Sequence, residues 1–507
     1  MSKTRPRPKH GPANALYYGD NLDILRRYIK DGSVDLIYLD PPFNSNADYN
    51  VLFAEKDGTQ AHAQIKAFED TWTWDEEAAK EYDEVLNSGH DRVARCLKGI
   101  HDFLGGSDMM AYLSMMALRL IELRRVLKHT GSIYLHCDST ANAYLRVLMD
   151  ATFGPDNFRN EIIWYYYNKM HDRRKKLFPK ANDTILFYVK DVSADFTYKQ
   201  LKELRETPVK QLLRKKVDGR MVNAKDADGH VMYRMKEDRT LDNVWRIPCL
   251  QPAAQERLGY QTQKPQSLLE RIIEASSREG NLVLDPFCGC GTTVATAQKL
   301  KRRWIGIDIT HLAINLIKVR LTDAFGPKIA KTYSIIGEPE DLESAKALAE
   351  QDKYQFQYWA LGLVGARPME EKKGADKGID GRLYITDSAS QTKAVIISVK
   401  GGNVTVSQLR DLRGVIEREN AAIGVFITLE EPTAPMRKEA AEAGFFQTKA
   451  LAGTKHPRLQ ILTIEELLGG KRIDMPLQQD IRPFKQAPKA KGKKSPEMKL
   501  PFDGEGP

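Results

Sequence analysis

The sequence contains few cysteines and no long hydrophobic run. Five cysteines occur among 507 residues; they show no paired metal-ligand spacing and are too few for a disulfide framework. No apolar run approaches the length that crosses a bilayer, and the polar, basic residues 1–13 lead into no apolar segment of a secretory signal. These absences exclude a disulfide-rich secreted protein. They predict a cytoplasmic protein without a membrane partner, in which residues 1–13 form a flexible basic leader.

Positive charge is present in excess. Lysine and arginine number 77 against 68 acidic residues, which gives a formal net charge of +9. Such a surplus suits a polyanionic partner, although many basic proteins bind no nucleic acid. Residues 471–507 are rich in lysine, proline and glycine, so we expect a basic, disordered tail.

Strand-like and helix-like segments alternate through most of the chain. Apolar runs such as 34–39 and 282–285 lie next to segments with helical spacing. This alternation predicts an α/β fold with β-α-β units on a parallel, doubly wound, Rossmann-like sheet over residues 14–325. A second, smaller α/β pattern occupies residues 351–470, and we expect residues 326–350 to be a linker between the two domains.

The first stretch of chemical interest is Asp40-Pro41-Pro42-Phe43, which directly follows the apolar run 34–39. Two prolines cannot continue a central strand, because each lacks an N–H and has its φ angle fixed. The pattern therefore predicts a buried strand that delivers these residues to a sheet edge. By itself, a plain strand-ending turn explains the pattern equally well.

The second stretch is the glycine-rich turn of residues 285–293, which follows another predicted strand. Ligands of open parallel sheets bind beyond the carboxyl ends of the strands, where Gly289 and Gly291 would let a ligand approach the backbone. Asp308 ends the next strand, where an acid can accept hydrogen bonds from ribose hydroxyls. Neither a complete dinucleotide fingerprint nor a Gly-Lys-Ser/Thr phosphate loop is present. A nucleoside without a pyrophosphate is the better ligand, and S-adenosyl-L-methionine fits; a tight turn without a ligand explains the glycines but not the flanking acids.

A base with an exocyclic amine is a suitable substrate for this pair of stretches. Such an amine is a poor nucleophile, because its lone pair is delocalised into the ring, and acceptors for its N–H groups would free that lone pair. Asp40 and the carbonyl of Pro41 can accept these bonds, and Phe43 can stack on a flipped-out base. The residues suit in-line methyl transfer by positioning and electrostatics, without a metal or a covalent intermediate.

The segments 40–43, 261–265 and 285–293 together resemble the motifs of the DNA amino-methyltransferases. Their order resembles that of the β class, which includes type III modification subunits. The resemblance covers residues 14–325 and implies a permuted methyltransferase fold with S-adenosyl-L-methionine as cofactor. It implies catalytic roles for Asp40, Pro41, Pro42 and Phe43. It also implies cofactor contacts by Asp20 at the adenine, Asp308 at the ribose, Thr262, Lys264 and Pro265 at the methionine end, and Asp285, Phe287, Gly289, Gly291 and Thr292.

The same resemblance implies double-stranded DNA as the substrate. The aspartate that heads the catalytic motif favours the N6 of adenine, with the N4 of cytosine as the alternative. Residues 165–258 would recognise the target, with basic side chains for the phosphates, namely Arg173, Arg174, Lys175, Arg214, Lys215 and Lys216. An ordinary solvated surface explains each of these charges equally well. A homodimer, a separate restriction subunit, or a DNA-binding protein that keeps the fold without catalysis remain open alternatives.

In the second α/β segment, Asp380 and Lys400 are the residues of chemical interest. Symmetric pairing about a turn near residues 389–390 places Asp380 opposite Lys400, with Ser398 on the same strand face as Lys400. The runs Gly-Ile-Asp-Gly and Ser-Val-Lys around these residues resemble Mrr-like nucleases of the restriction-endonuclease-like fold. That resemblance implies that Asp380 binds a metal ion such as Mg²⁺ and that Lys400 stabilises the attacking hydroxide or the phosphate.

Ser398 departs from the pattern of those nucleases, which have an acid or an amide there. Serine offers no charge to Mg²⁺, which prefers carboxylate oxygens. Either cleavage is weak, another residue such as Asp376 compensates, or the domain only binds DNA. A surface ion pair between Asp380 and Lys400 is a further explanation. If the nuclease is active, the chain is a fused restriction–modification enzyme.

Overall fold

A computed structural model describes most of the chain. The described residues are 14–42, 72–169, 178–217, 219–258, 260, 262–369, 378–388, 391–447 and 454–476. Several predictions therefore fall outside the described residues: the basic leader, the tail beyond residue 476, the stacking residue Phe43, the phosphate contacts of Arg173, Arg174 and Lys175, and the acid Asp376.

The elements of the described residues alternate between strand and helix, as the periodicity predicts. The strands are β1 (Asn14–Tyr18), β2 (Val34–Leu39), β3 (Leu127–Cys137), β4 (Phe158–Tyr165), β5 (Asn182–Val189), β6 (Lys202–Leu212), β7 (Arg214–Val217), β8 (Arg220–Asn223), β9 (Tyr233–Thr240), β10 (Val244–Arg246), β11 (Leu282–Asp285), β12 (Arg303–Asp308), β13 (Tyr333–Ile336), β14 (Arg367–Pro368), β15 (Gly381–Ser388), β16 (Gln391–Lys400), β17 (Ile423–Thr428), β18 (Phe445–Gln447), β19 (Lys455–Pro457) and β20 (Leu459–Thr463). The α-helices are α1 (Asn21–Tyr28), α2 (Glu76–Leu86), α3 (Asp91–Leu104), α4 (Asp108–Val126), α5 (Asn142–Phe153), α6 (Gln266–Ser276), α7 (Thr292–Lys299), α8 (His311–Phe325), α9 (Leu342–Gln351), α10 (Lys353–Leu363), α11 (Val406–Arg418), α12 (Ala434–Glu442) and α13 (Ile464–Leu468). In the part of the chain that these ranges cover, no helix combines the length and the apolar character needed to cross a membrane.

A nine-stranded sheet forms the larger body, in the order β10-β4-β5-β3-β2-β11-β12-β1-β13. Strand β5 runs antiparallel to its neighbours β3 and β4, and the other neighbouring pairs are parallel. The predicted doubly wound α/β fold is confirmed. Because β1, β2, β3, β11 and β12 are parallel, their carboxyl ends lie along one edge of the sheet, where such folds bind ligands.

Apolar layers cover both faces of this sheet. Side chains of a strand alternate between the faces, so Ile37 and Leu39 of β2 lie in one layer and Leu36 and Tyr38 lie in the other. Helices α1 to α5 contribute to the first layer, and α6 to α8 contribute to the second.

The sequence of residues 44–100 is mixed and polar without a strong period, which predicts an insertion beside the site rather than part of the core. For α2 and α3 this prediction is wrong. Val85 of α2 and Leu97 of α3 are fully buried in the first apolar layer. The many charged residues of these two helices lie on their outer faces and mask a narrow apolar stripe, which is why the periodicity was weak.

The sequence of residues 191–258 is polar and basic in patches, which predicts an irregular segment, and the structure shows strands there instead. Strands β6 and β9 form one antiparallel ribbon, β7 and β8 form another, and β10 joins the edge of the large sheet. The ribbons expose many side chains on both faces, so their sequence lacks the apolar–polar alternation that identifies a half-buried strand.

The smaller body is a five-stranded sheet in the order β14-β15-β16-β17-β20. Helices α9, α10 and α13 pack on one face, and α11 and α12 pack on the other. The segment 326–350 is not an extended linker, because β13 pairs with β1 and α9 packs in the core of the smaller body. Helix α10 also contacts α8, where the side chain of Asn315 donates to the carbonyl of Tyr358 at 3.0 Å.

Candidate active site

Four aspartates lie at the carboxyl ends of neighbouring strands of the large sheet. Asp40 follows β2, Asp285 ends β11, Asp308 ends β12, and Asp20 lies two residues after β1. The chain places them far apart in sequence, and the parallel sheet brings them to one edge. The sequence predictions for these four residues therefore converge on one site.

Asp40 presents two different oxygens. Its Oδ2 accepts a hydrogen bond from the ammonium group of Lys264, and both side chains are largely buried, with 14% and 12% exposed. Its Oδ1 is buried and has no hydrogen-bond partner among the described residues. A buried acceptor without a donor is costly unless a ligand supplies one, so Oδ1 is the atom that suits the N–H of a bound amine.

Lys264 was expected to contact the cofactor, and the structure brings it to Asp40. Pro265 follows it as the N-cap residue of α6 and fixes the backbone there. The Lys264 ammonium group also lies 3.4 Å from the carbonyl of Thr262. A contact of Thr262, Lys264 and Pro265 with the methionine end of a cofactor stays a prediction.

The glycine-rich turn takes backbone conformations that other residues rarely adopt. Gly289 has φ +48° and Gly291 has φ +74°, both left-handed. A Cβ on Gly291 would lie 2.6 Å from Cγ1 of Ile317, and a Cβ on Gly289 would lie 3.1 Å from the ring of Tyr260. Both glycines are therefore required by the turn itself. Tyr260, which covers the turn, was not identified from the sequence.

Asp308 is tied to this turn. Its Oδ2 accepts from the backbone N–H of Gly289 at 2.9 Å, and its Oδ1 accepts from the N–H and the hydroxyl of Thr310 at 3.0 and 2.9 Å. A carboxylate has about four lone-pair sites, so Oδ2 can accept one more bond, such as that of a ribose hydroxyl. Burial raises the pKa of Asp308 to about 6 despite these hydrogen bonds.

Asp285 is buried below the turn. Its Oδ1 accepts from the N–H of Phe287 at 3.1 Å. Burial raises the pKa of Asp285 to about 7, and the negative charges of Asp40 and Asp308 contribute to the increase. Because its Oδ1 accepts a hydrogen bond within the turn, Asp285 is placed to hold the turn in shape. Phe287 is partly exposed and Thr292 is buried, and a cofactor contact of either residue stays a prediction.

Asp20 is held by the protein itself. Its Oδ1 caps α1 by accepting from the N–H groups of Leu22 and Asp23, and its Oδ2 pairs with Arg119 at 2.8 Å. The predicted contact of Asp20 with an adenine ring stays a prediction, and Oδ2 keeps a lone pair for it.

Arg119 and Asn21 were missed by the sequence analysis. Arg119 donates to Oδ1 of Asn21 at 2.7 Å, and Nδ2 of Asn21 donates to the carbonyl of Pro286 at 2.8 Å. This chain of contacts links α4 to the glycine-rich turn. The available signal was an arginine inside the apolar run of α4, since a buried charge requires a partner.

His136 was also missed. It lies near the end of β3, is fully buried, and neighbours Tyr38, Asp40 and Asp183. The sequence contained a signal for this residue: the apolar strand ends in His136-Cys137-Asp138. An apolar strand that stops at an acid is the same pattern that identified Asp40 and Asp308.

The residues at the edge fit a nucleoside ligand of the kind that the sequence predicts. Gly289 and Gly291 allow the left-handed conformation of the turn, Asp308 retains an acceptor for a ribose, and Asp40 retains a buried acceptor for an amine. The glycine-rich turn therefore suits the nucleoside and Asp40 suits the amine, and both lie at the same edge of the large sheet.

In the smaller body, the sheet register differs from the prediction. Gly381 pairs with Ile397, so Asp380 lies opposite Ser398 and not opposite Lys400; an irregularity between Thr386 and Ser388 shifts the pairing. Oδ2 of Asp380 accepts from the hydroxyl of Ser398 at 3.1 Å and from the N–H of Val399 at 2.6 Å. The ammonium nitrogen of Lys400 lies 3.7 Å from the same oxygen.

Two family models match the chain. One, described as DNA methylase, matches residues 34–319, and the other, described as NACHT-associated inactive Restriction Endonuclease 1, matches residues 353–469. These matches correspond to the larger and the smaller body.

Individual proteins show the same similarity. The chain is 27% identical over 297 residues to the type II methyltransferase M.HpaI of Haemophilus parainfluenzae, covering 59% of this chain and 71% of that protein. It is 26% identical over 312 residues to the DNA adenine methyltransferase YhdJ of Escherichia coli strain K12, covering 60% of this chain and 81% of that protein. Among solved structures, the M1.HpyAVI–SAM complex gives a TM-score of 0.33 at 16% identity, covering 58% of this chain and 92% of that one.

Proposed function

The chain belongs to the DNA methylase family, and from that premise we propose that it transfers a methyl group from S-adenosyl-L-methionine to the N6 of adenine in double-stranded DNA. The transfer is site-specific and follows base flipping. The observation that carries the proposal is the buried Oδ1 of Asp40, which has no hydrogen-bond partner among the described residues. The other oxygen of this carboxylate, Oδ2, pairs with Lys264. The carboxylate lies at the same sheet edge as the glycine turn and Asp308.

The cofactor would bind at the glycine-rich turn. Asp308 would accept from its ribose hydroxyls, Asp20 would face its adenine, and Thr262 and Pro265 would lie at its methionine end. When bound, S-adenosyl-L-methionine supplies an electrophilic methyl group on a sulfonium. The chain then has to place the target amine in line with that methyl group and exclude water.

Asp40 and the carbonyl of Pro41 would hold the target amine. Each accepts one N–H, so the nitrogen lone pair is directed at the methyl group and no longer shared with the ring. Pro42 keeps this turn rigid, and Phe43 would stack on the base. Lys264 leaves only Oδ1 for the amine, which fixes the side of Asp40 that the base meets.

Adenine is favoured over cytosine because an aspartate heads the catalytic motif. The motif order also supports the β class and a type III-like arrangement as the subclass. A cytoplasmic location, a homodimer and a separate restriction subunit are further parts of the proposal that rest on the resemblance alone.

Labelled methyl transfer to DNA tests this function. Purified protein is incubated with radiolabelled cofactor and double-stranded DNA, and the DNA is digested to nucleosides. We expect labelled N6-methyladenine with the wild type and none with Asp40→Ala. Labelled N4-methylcytosine would replace the adenine assignment, and no label in either variant would refute the function.

The two exposed ribbons would contact the DNA. Arg214, Lys215 and Lys216 lie on β7 with their side chains exposed. A two-stranded ribbon fits the major groove, and basic side chains beside it can neutralise phosphates. These features support the assignment of residues 165–258 to target recognition.

Salt dependence of DNA binding tests this assignment. Replacing Lys215 and Lys216 together with alanine should weaken binding of all DNA sequences alike and reduce the salt slope by about one per lost phosphate contact. Lys346→Ala, an exposed lysine on α9, is the matched control. An unchanged slope in the double variant would place the DNA elsewhere.

For the smaller body we propose DNA binding without cleavage. Asp380 is the acid that the resemblance assigns to Mg²⁺, yet its Oδ2 is taken by Ser398 and Val399. Ser398 offers no second carboxylate, and Mg²⁺ favours carboxylate oxygens as its protein ligands. The match to a family described as inactive agrees with this reading.

Incubation of unmethylated DNA with Mg²⁺ tests the proposal directly. We expect intact DNA with the wild type and with Asp380→Ala. Cleavage that is lost in Asp380→Ala would instead establish the fused restriction–modification enzyme, with Asp380 and Lys400 as active residues.

A further inference from the structure

A buried polar cluster adjoins Asp40 and has no role in the transfer described so far. Its centre is His136, whose side chain is 0% exposed. Nδ1 of His136 lies 2.9 Å from the hydroxyl of Tyr38 and 3.9 Å from Oδ1 of Asp40. Its Nε2 lies 3.4 Å from Oδ2 of Asp183. One imidazole ring therefore connects the acceptor oxygen of the target amine with a second carboxylate.

The two groups that flank the ring determine where its protons lie. Burial raises the pKa of Tyr38 well above its usual value, so the hydroxyl keeps its proton and donates to Nδ1. Burial by itself would raise the pKa of Asp183. The hydrogen bond from His136 and the charge of Lys180 outweigh this effect, so the pKa of Asp183 lies below its ordinary value. Asp183 therefore accepts from the N–H of Nε2. In this tautomer Nδ1 carries a lone pair that can take up a proton.

Among the described residues, the charged groups around the ring carry one formal negative charge in excess. The charged groups are three carboxylates and two ammonium groups, those of Asp40, Asp138, Asp183, Lys180 and Lys264. Lys180 lies 3.2 Å from both Asp138 and Asp183. On the remaining side, Trp164 packs edge-on against the ring, and Tyr166 donates to Asp183 at 3.3 Å. A proton on His136 would balance the charge of this group.

We propose that His136, supported by Asp183, accepts the proton that the target amine loses, by way of Asp40; this rests on the proposed methyl transfer. The amine lone pair forms the N–C bond while the C–S bond of the sulfonium breaks, and its electron pair stays on sulfur as a thioether. The cationic product amine passes one proton to Oδ1 of Asp40. Asp40 passes it to Nδ1 of His136, which becomes an imidazolium ion beside Asp183. Product release returns the proton to water.

The geometry requires one small rearrangement for this transfer. The 3.9 Å between Nδ1 and Oδ1 has to shorten by about 1 Å to reach hydrogen-bond distance. The Tyr38 hydroxyl then turns from donor to acceptor for the new N–H. An internal acceptor is useful here because Asp40 is largely buried, and a protonated Asp40 could no longer accept from the next amine.

Single-turnover methyl transfer as a function of pH tests the proposal. The wild type should become slower toward acidic pH, because a protonated His136 cannot accept a second proton. His136→Asn should be slower by about 100-fold and lack this acidic decrease, since general acid–base groups contribute at least that much. Binding of S-adenosyl-L-methionine, measured without DNA, should be unchanged in the variant and reports that it is folded. His129→Asn, an exposed histidine on the same strand, is the matched control and should behave as the wild type.

A second variant covers the case in which His136→Asn does not fold. Asp183→Asn keeps the imidazole but removes the carboxylate beside it, so the acidic decrease should move to lower pH. An unchanged rate or an unchanged acidic decrease in either folded variant would overturn the role of His136 and leave the proposed function intact. Absence of methyl transfer by the wild type in the same assay would instead refute the proposed function, and this inference with it.

Discussion

Replacing Lys264 with methionine separates its observed contact from the role that the sequence motif implies. The structure pairs its ammonium group with Oδ2 of Asp40, whereas the motif assigns it to the cofactor. Methionine fills a similar volume without the charge. The variant therefore leaves the Asp40 carboxylate largely buried and without its cation.

The expected magnitude follows from this burial. Removing one partner of a buried ion pair costs about 3–5 kcal/mol, and the 12–14% exposure of these side chains places the cost near the lower end. Part of that cost appears as lost stability. Because Asp40 can also turn away from the target amine, methyl transfer should be slower by about 100-fold, as when one preorganised donor is removed from an active site.

Two measurements decide between the roles. Isothermal titration of S-adenosyl-L-methionine without DNA should give the same Kd for the wild type and Lys264→Met, while single-turnover transfer to DNA falls. Lys264→Arg should restore part of the rate. Lys80→Met, an exposed lysine on α2, is the control. An increase of Kd by about tenfold or more, as for a lost charged hydrogen bond to the cofactor, would refute the positioning role.

Three further predictions concern the turn and the contact between the two bodies. Gly291→Ala has to adopt φ +74° with its Cβ 2.6 Å from Ile317, so denaturation should show a loss of about 2–4 kcal/mol and cofactor binding should be abolished; a fully stable variant would contradict the turn geometry. Burial raises the pKa of Asp285 to about 7, so the folded protein favours the neutral acid and its unfolding free energy should fall by up to about 4 kcal/mol between about pH 4 and pH 8. Asp285→Asn should lack that part of the decrease. Unfolding free energies from denaturant titrations that fall equally with pH in the wild type and the variant would refute this prediction. Gln355→Ala removes the oxygen that accepts from the N–H of His311 at 3.0 Å, and thermal unfolding should show a cost of about 1–2 kcal/mol; an unchanged Tm would mean that water replaces the contact.

The sheet and its functional edge were predictable from local pattern. Strands such as β2 and β11 are largely apolar runs that stop at an acid or a proline, and parallel pairing then brings their ends together. Asp40, Gly289 and Asp308 could be assigned to one edge for this reason, without knowledge of any long-range contact.

Contacts between distant segments were not predictable in the same way. The pairing of Lys264 with Asp40 joins residues 224 positions apart, and its motif pointed to another partner. The register of Asp380 depends on a local irregularity in the hairpin, which no periodicity records. Strand β13 is short and only partly apolar, so its sequence alone did not predict a strand. It lies at the edge of the large sheet because it pairs with β1.

The most direct test of the central claim is the modification of DNA in cells that express the protein. Genomic DNA from cells with the wild type or with Asp40→Ala is sequenced with detection of modified bases. We predict N6-methyladenine at one recurrent sequence with the wild type and its absence with Asp40→Ala. Unmodified DNA in both, or modification that persists in Asp40→Ala, would contradict the assignment of Asp40 as the acceptor for the target amine.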